Sequence, residues 1–183
     1  VSCNAYFAQL GTYAVGADAL KKTSDLLGIS TGNLKDSLPQ AAYGQGQVVA
    51  SPFQLARAAA TVANGGSMPF GRWVTDESNA RIDPPVPILD PVQARLLGEY
   101  MRGVVTSGTG KALATAPVAV AGKTGTAELE GKPSHAWFIG FAPYGAPKIA
   151  FAVLVENGQY GGTAAAPIAR DIVAAAAQLG LLQ

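Results

Sequence analysis

The sequence predicts an α+β fold. Helical periodicity dominates the first half, three strand patterns with short links follow, and an Ala-rich helical stretch closes the chain. No βαβ alternation is present, so the strands should form an antiparallel meander. With 183 residues, 49% of them hydrophobic and 14% charged, the chain is long and apolar enough to bury a real core, which excludes disorder.

The elements follow from local chemistry. Ala5, Phe7, Ala8, Leu10, Tyr13, Ala14 and Val15 recur at mixed helical spacing, and a second helical stretch runs from Ala17 to Leu27 and stops at Gly28. Residues 29–50 are rich in Gly, Ser, Pro and Asn and read as loop with short strand pieces. Ser51-Pro52 opens a clear helix, Ser as N-cap and Pro at the first helical position, which Asn64-Gly65-Gly66 ends. Residues 67–90 read as a hairpin or small meander. Asp90-Pro91 starts another helix by the same capping logic, striped by Leu96, Leu97, Tyr100, Met101, Val104 and Val105, and Ser107-Gly108-Thr109-Gly110 breaks it. Strands are expected over 118–128, 136–141 and 148–155, and a final helix over 163–182 that Pro167 interrupts early. The division expected is a mainly helical region over 1–115 and a meander with its closing helix over 116–183.

Composition removes several function classes. A net charge of +1 without a basic stripe leaves no footprint for nucleic acid. One cysteine allows neither an intrachain disulfide nor a Cys-based metal cluster. With one histidine, His135, a Ser-His-Asp triad is poorly supported, and no metal or other cofactor is expected. No stretch approaches the roughly 18 apolar residues of a membrane span. The first residues lack the basic start and small-residue cleavage pattern of a signal peptide, and the chain reads as a fragment.

Lys123-Thr124-Gly125-Thr126 is the sharpest candidate site. Lys and Gly both weaken a strand, and alternation places Lys123 and Gly125 on one face. An ammonium beside a bare backbone position fits close approach by a ligand, the Thr124 and Thr126 hydroxyls can bind a carboxylate, and an edge strand offers main-chain groups to a peptide. An exposed Lys beside a bulge Gly explains the same residues without function. In Ser2-Cys3-Asn4, residues two apart in an extended segment share a direction, so Ser2 and Asn4 face a cleft while Cys3 turns into the core. The hydroxyl can relay a proton and the amide can hold a substrate carbonyl. A plain helix N-cap remains the competing account.

Taken together, S-x-N before a helix and K-T-G on a strand about 120 residues later resemble two of the three motifs of the penicillin-recognising serine enzymes. The flanking text extends the likeness: Tyr43-Gly44-Gln45-Gly46, Ser51-Pro52-Phe53-Gln54-Leu55-Ala56, Asn64-Gly65-Gly66, Thr106-Ser107-Gly108-Thr109-Gly110, Ala136-Trp137-Phe138-Ile139-Gly140-Phe141 and Ala165-Ala166-Pro167. In order and over nearly the whole chain, it resembles the transpeptidase domain of class B, high-molecular-mass penicillin-binding proteins. That resemblance implies the C-terminal portion of the penicillin-binding/serine β-lactamase-like fold: the last three strands of a five-stranded antiparallel sheet, the C-terminal helix and part of a helical region. It implies roles for Ser2, Asn4 and Lys123 in catalysis and for Thr124, Gly125 and Thr126 in substrate binding. It further implies D-Ala-D-Ala stem peptides of peptidoglycan and β-lactams as ligands, cell-wall synthesis or division proteins as partners, and an extracytoplasmic, membrane-anchored whole.

The family's first motif, S-x-x-K, is absent. Ser24 precedes Asp-Leu-Leu, Ser30 Thr-Gly-Asn, Ser51 Pro-Phe-Gln and Ser107 Gly-Thr-Gly. Since acyl transfer needs the activated serine, the chain alone is expected to be inactive, and its missing strands should leave a sheet edge and part of the core open. Three other readings compete. A β-lactamase would need a carboxylate base between the motifs, for which only Asp76 and Glu77 fall in the region. A β-lactam sensor or scaffold would share the motifs without turnover, and a split enzyme would bring its other piece.

Overall fold

The computed structural model describes residues 3–72, 74, 76, 78 and 83–183. α1 (Asn4–Leu10) runs into one wide π-type turn over Gly11–Val15, closed by the Gly16 N–H donating to the Gly11 carbonyl at 2.8 Å, and α2 (Ala17–Leu27) follows. α1 buries none of its residues, and Cys3, expected to turn inward, is an exposed thiol at its N-cap. An extended residue ahead of a helix that packs so little has no interior to point into.

The region read as loop contains a helix, α3 (Leu34–Ala41). The side chain of Asn33 caps it, accepting from the Lys35 N–H at 3.0 Å, and Leu34, Ser37 and Ala41 form its buried stripe. Eight residues with Pro39 inside and polar neighbours give too short a period to separate from loop text. The expected strand pieces reduce to one antiparallel bridge, Ser30 with Val49, which closes the segment around the helix.

α4 (Pro52–Ala63) and α5 (Pro91–Thr106) begin where the capping logic put them. Both carry complete capping boxes, Ser51 with Gln54 and Asp90 with Gln93. The Gln54 amide also donates to the Gly28 carbonyl, tying the start of α4 to the end of α2. Between the two helices lies a short antiparallel pair, β1 (Ser67–Met68) and β2 (Val86–Pro87).

The main sheet is the expected meander, β3 (Ala121–Leu129), β4 (Lys132–Ala142) and β5 (Ile149–Val155), in the order β3-β4-β5 and antiparallel throughout. α6 (Ala165–Gln178) closes the chain, and Pro167 does not interrupt it: at the third helical residue its missing N–H is one that no helix would have satisfied. One sheet face, with Ala136, Phe138, Phe151 and Val153, packs on Ala166, Ala169 and Val173 of α6 and on Val105 of α5. On the other face Ala121 and Phe141 meet Met101 of α5, with Val62 and Ala63 of α4 against them. Among the described residues no strand pairs with the outer edge of β3 or of β5.

Candidate active site

The second sheet face is only partly covered. Next to Ala121 and Phe141 it carries Lys123, Gly125 and Ala127 of β3, in register with Ile139, Trp137 and His135 of β4. These residues form one wall of a cleft of about 540 Å³, whose other wall comes from Ile29, Thr31, Val48 and Leu55 and from the loop Tyr43–Gly46. The walls are largely apolar except along β3.

Lys123 is half-buried there, and its Nζ donates to the Thr124 carbonyl oxygen at 2.7 Å. Burial lowers its pKa from the usual 10.5, because a desolvated ammonium loses hydration that a neutral amine does not need. The Thr124 side chain lies on the opposite face, buried, with its hydroxyl 2.6 Å from that of Thr109. Thr126 is exposed, and its carbonyl accepts from Gln45 Nε2 at 3.0 Å. Two side chains thus reach the carbonyls of residues 124 and 126. Main-chain groups alternate sides along a strand, so both carbonyls point off the open edge while those of Gly125 turn inward to β4.

Two glycines let the segment after β5 lie against this strand. A Cβ at Gly161 would stand 2.5 Å from the Gly125 carbonyl oxygen and closer still to that of Trp137; one at Gly162 would stand 2.6 Å from the carbonyl oxygen of Thr109. The Gly161 carbonyl also accepts from Ala165 and Ala166 at 3.1 and 2.8 Å, so α6 starts on the back of the K-T-G strand.

Of the residues singled out from sequence, Lys123, Thr124, Gly125 and Thr126 all line the cleft, but the Thr124 hydroxyl, expected to face a ligand, is buried on the opposite face against Thr109. Asn4 is exposed as the first residue of α1 and is not among the lining residues described. Ser2 and Glu77 lie outside the described residues. Three contributors were not named as site residues: Gln45, Thr109 and Gly161. The first two stand in stretches that carried the resemblance, although nothing local indicates which strand they meet.

Replacing Thr109 by Val keeps its shape and removes one of two paired hydroxyls. The buried Thr124 hydroxyl then has no protein partner in its place, so T109V is expected to cost about 1–2 kcal/mol in chemical unfolding. An unchanged midpoint would show the pair to be dispensable.

An antiparallel meander backed by one helix, with a half-buried lysine on an edge strand facing a cleft, is the arrangement that the sequence resemblance implied. The penicillin binding protein transpeptidase domain family matches residues 1–174, and the chain belongs to it. It is 37% identical to the peptidoglycan D,D-transpeptidase PbpA of Mycobacterium tuberculosis, over 97% of this chain and 42% of that protein. Among solved structures, the penicillin G acyl-enzyme complex of penicillin-binding protein A from M. tuberculosis is 36% identical with a TM-score of 0.81, covering 96% of this chain and 46% of that one. A complex between penicillin-binding protein PBP2 and MreC from Helicobacter pylori is 27% identical with a TM-score of 0.69, covering 81% of this chain and 28% of that one. The chain therefore spans less than half the length of these relatives.

Proposed function

We propose that the complete protein is a serine D,D-transpeptidase that cross-links peptidoglycan stem peptides and is acylated by β-lactams. The observation that carries this reading is the K-T-G-T edge strand, with its half-buried lysine and outward main-chain carbonyls facing a cleft. The nucleophile is proposed to come from an S-x-x-K segment that this chain does not contain, and the chain alone is proposed to be inactive.

In the proposed cycle the serine hydroxyl oxygen attacks the carbonyl of the D-Ala-D-Ala bond. The C–N bond breaks, the hydroxyl proton goes to the departing D-Ala amine, and an acyl ester remains on the serine. An amine of a second stem then attacks the ester, forms the cross-link and returns the proton to the serine. Ser2 is assigned the proton relay together with Lys123, and Asn4 the hold on the donor's amide. Thr126, whose side chain is exposed, and Thr124, whose hydroxyl would have to reach the ligand from its buried pairing with Thr109, are assigned to the terminal carboxylate. The Thr126 N–H is assigned to half the oxyanion hole, and Gly125 provides the bare backbone that lets the peptide approach. A β-lactam forms the same ester, but its ring-opened amine stays tethered. The substrate places the protein outside the cytoplasm, with a membrane anchor and wall-synthesis or division partners as further parts of the proposal. Among the described residues no helix is long and apolar enough to cross a membrane.

The test is intact-mass spectrometry of the complete protein with and without benzylpenicillin, followed by peptide mapping. One covalent adduct on a serine outside these 183 residues is the expected result. An adduct on a serine inside them, or none, would sink the assignment, and acylation without amine-dependent release would identify a sensor instead.

A further inference from the structure

The loop Tyr43–Gly46 is built to present one side chain. Gly44 and Gly46 both have left-handed φ, 83° and 70°, which other residues rarely adopt, so the chain turns sharply on either side of Gln45. The Gln45 N–H donates to the Gln40 carbonyl at 2.9 Å, the Gly44 N–H to that of Ala41 at 3.0 Å, and the Val48 N–H to that of Gln45 at 3.4 Å. Pinned in this way, the carboxamide crosses the cleft and donates to the Thr126 carbonyl at 3.0 Å. It is a contact between opposite walls, and it falls on a main-chain group of the open edge.

We infer that Gln45 is a positioning residue for peptide ligands, acting through the Thr126 carbonyl. An extended peptide laid along an edge strand donates its amide N–H to an outward carbonyl. The Thr126 oxygen has two lone pairs, so it accepts from Gln45 and from the ligand together. Gln45 fixes the direction of that carbonyl before the ligand arrives, which lowers the cost of ordering the site on binding. The bond forming and breaking takes place at a different carbonyl, so the effect belongs to binding rather than to acylation itself. The inference rests on the transpeptidase reading above.

The test compares Gln45→Ala and Gln45→Met with the wild type in the complete protein, following acylation against ligand concentration. Met preserves the length of the side chain but donates nothing. Benzylpenicillin carries an acylamino arm with an amide N–H, whereas imipenem carries a hydroxyethyl group there. Both variants are expected to raise the half-saturating benzylpenicillin concentration about tenfold, because the Thr126 carbonyl must then be ordered on binding, and to leave the limiting acylation rate within about threefold. With imipenem the half-saturating concentration should move less than about threefold, since its hydroxyethyl group brings no amide N–H to the Thr126 oxygen. A wild-type-like Gln45→Met, equal losses with both ligands, or a loss confined to the limiting rate would each overturn the role. A wild type that neither compound acylates removes the transpeptidase reading and takes the role of Gln45 with it. Normal wild-type acylation with unaffected variants removes Gln45 alone.

Discussion

Lys123→Met is expected to abolish acylation of the complete protein by benzylpenicillin while leaving the fold intact. The amine is proposed to sit where the leaving-group proton passes, and loss of a group in that position lowers rates by about a hundredfold or more. The same change removes a half-buried charge whose ionised form burial disfavours. Folding stability is therefore expected to stay within about 1 kcal/mol of wild type or to rise slightly at neutral pH. The pH dependence has a definite sign. The folded-state pKa lies below the usual 10.5, so between the two values the unfolded chain binds more protons than the folded one. Wild-type stability should thus gain on that of Lys123→Met as pH rises through this alkaline window. Unfolding midpoints that run parallel for the two proteins up to pH 10.5 would show that burial does not disfavour the charge.

Gly161→Ala is expected to be the most damaging single-methyl change near the site. The added Cβ would stand 2.5 Å from the Gly125 carbonyl oxygen and 3.0 Å from its nitrogen, inside the ladder joining β3 to β4. Neither neighbour is a side chain that can rotate away, so strand or loop must shift at a cost of about 2–4 kcal/mol. Because the displaced residue is the centre of the K-T-G-T strand, acylation should fall with stability. Gly103→Ala is the control: nothing lies within 4 Å of its Cβ, and in the interior of α5 it should stabilise by up to about 1 kcal/mol. Similar unfolding midpoints for the two variants would sink the close-approach account.

Elements with strong local chemistry were legible in the sequence. Ser51-Pro52 and Asp90-Pro91 announce α4 and α5 because capping boxes are written within four residues, and the meander shows through short links between apolar strands. α3 escaped because Asn33 and Pro39 look like loop residues, and the three buried positions of one short helix do not make a period. Pro167 read as a break because sequence shows a proline before it shows that the helix has only just begun. In the site, Lys123 and Gly125 stood out as poor strand formers, and they drew attention to Thr124 and Thr126 beside them. Gln45 and Thr109 did not, since their partners are 81 and 15 residues away and polar side chains carry no sign of which carbonyl or hydroxyl they will meet.

The outward carbonyls of Thr124 and Thr126 have an evolutionary side. Every amino acid supplies the same peptide oxygen, so exchanging the side chain at either position leaves the acceptor itself in place. Under the proposed function, a drug gripping those oxygens holds something a codon change cannot delete. Escape must then bend the strand, as at Gly161, or loosen what aims it, as at Gln45, and the first route harms the host along with the drug. Resistance in such a protein is expected to gather in the ring of residues around the strand rather than on it.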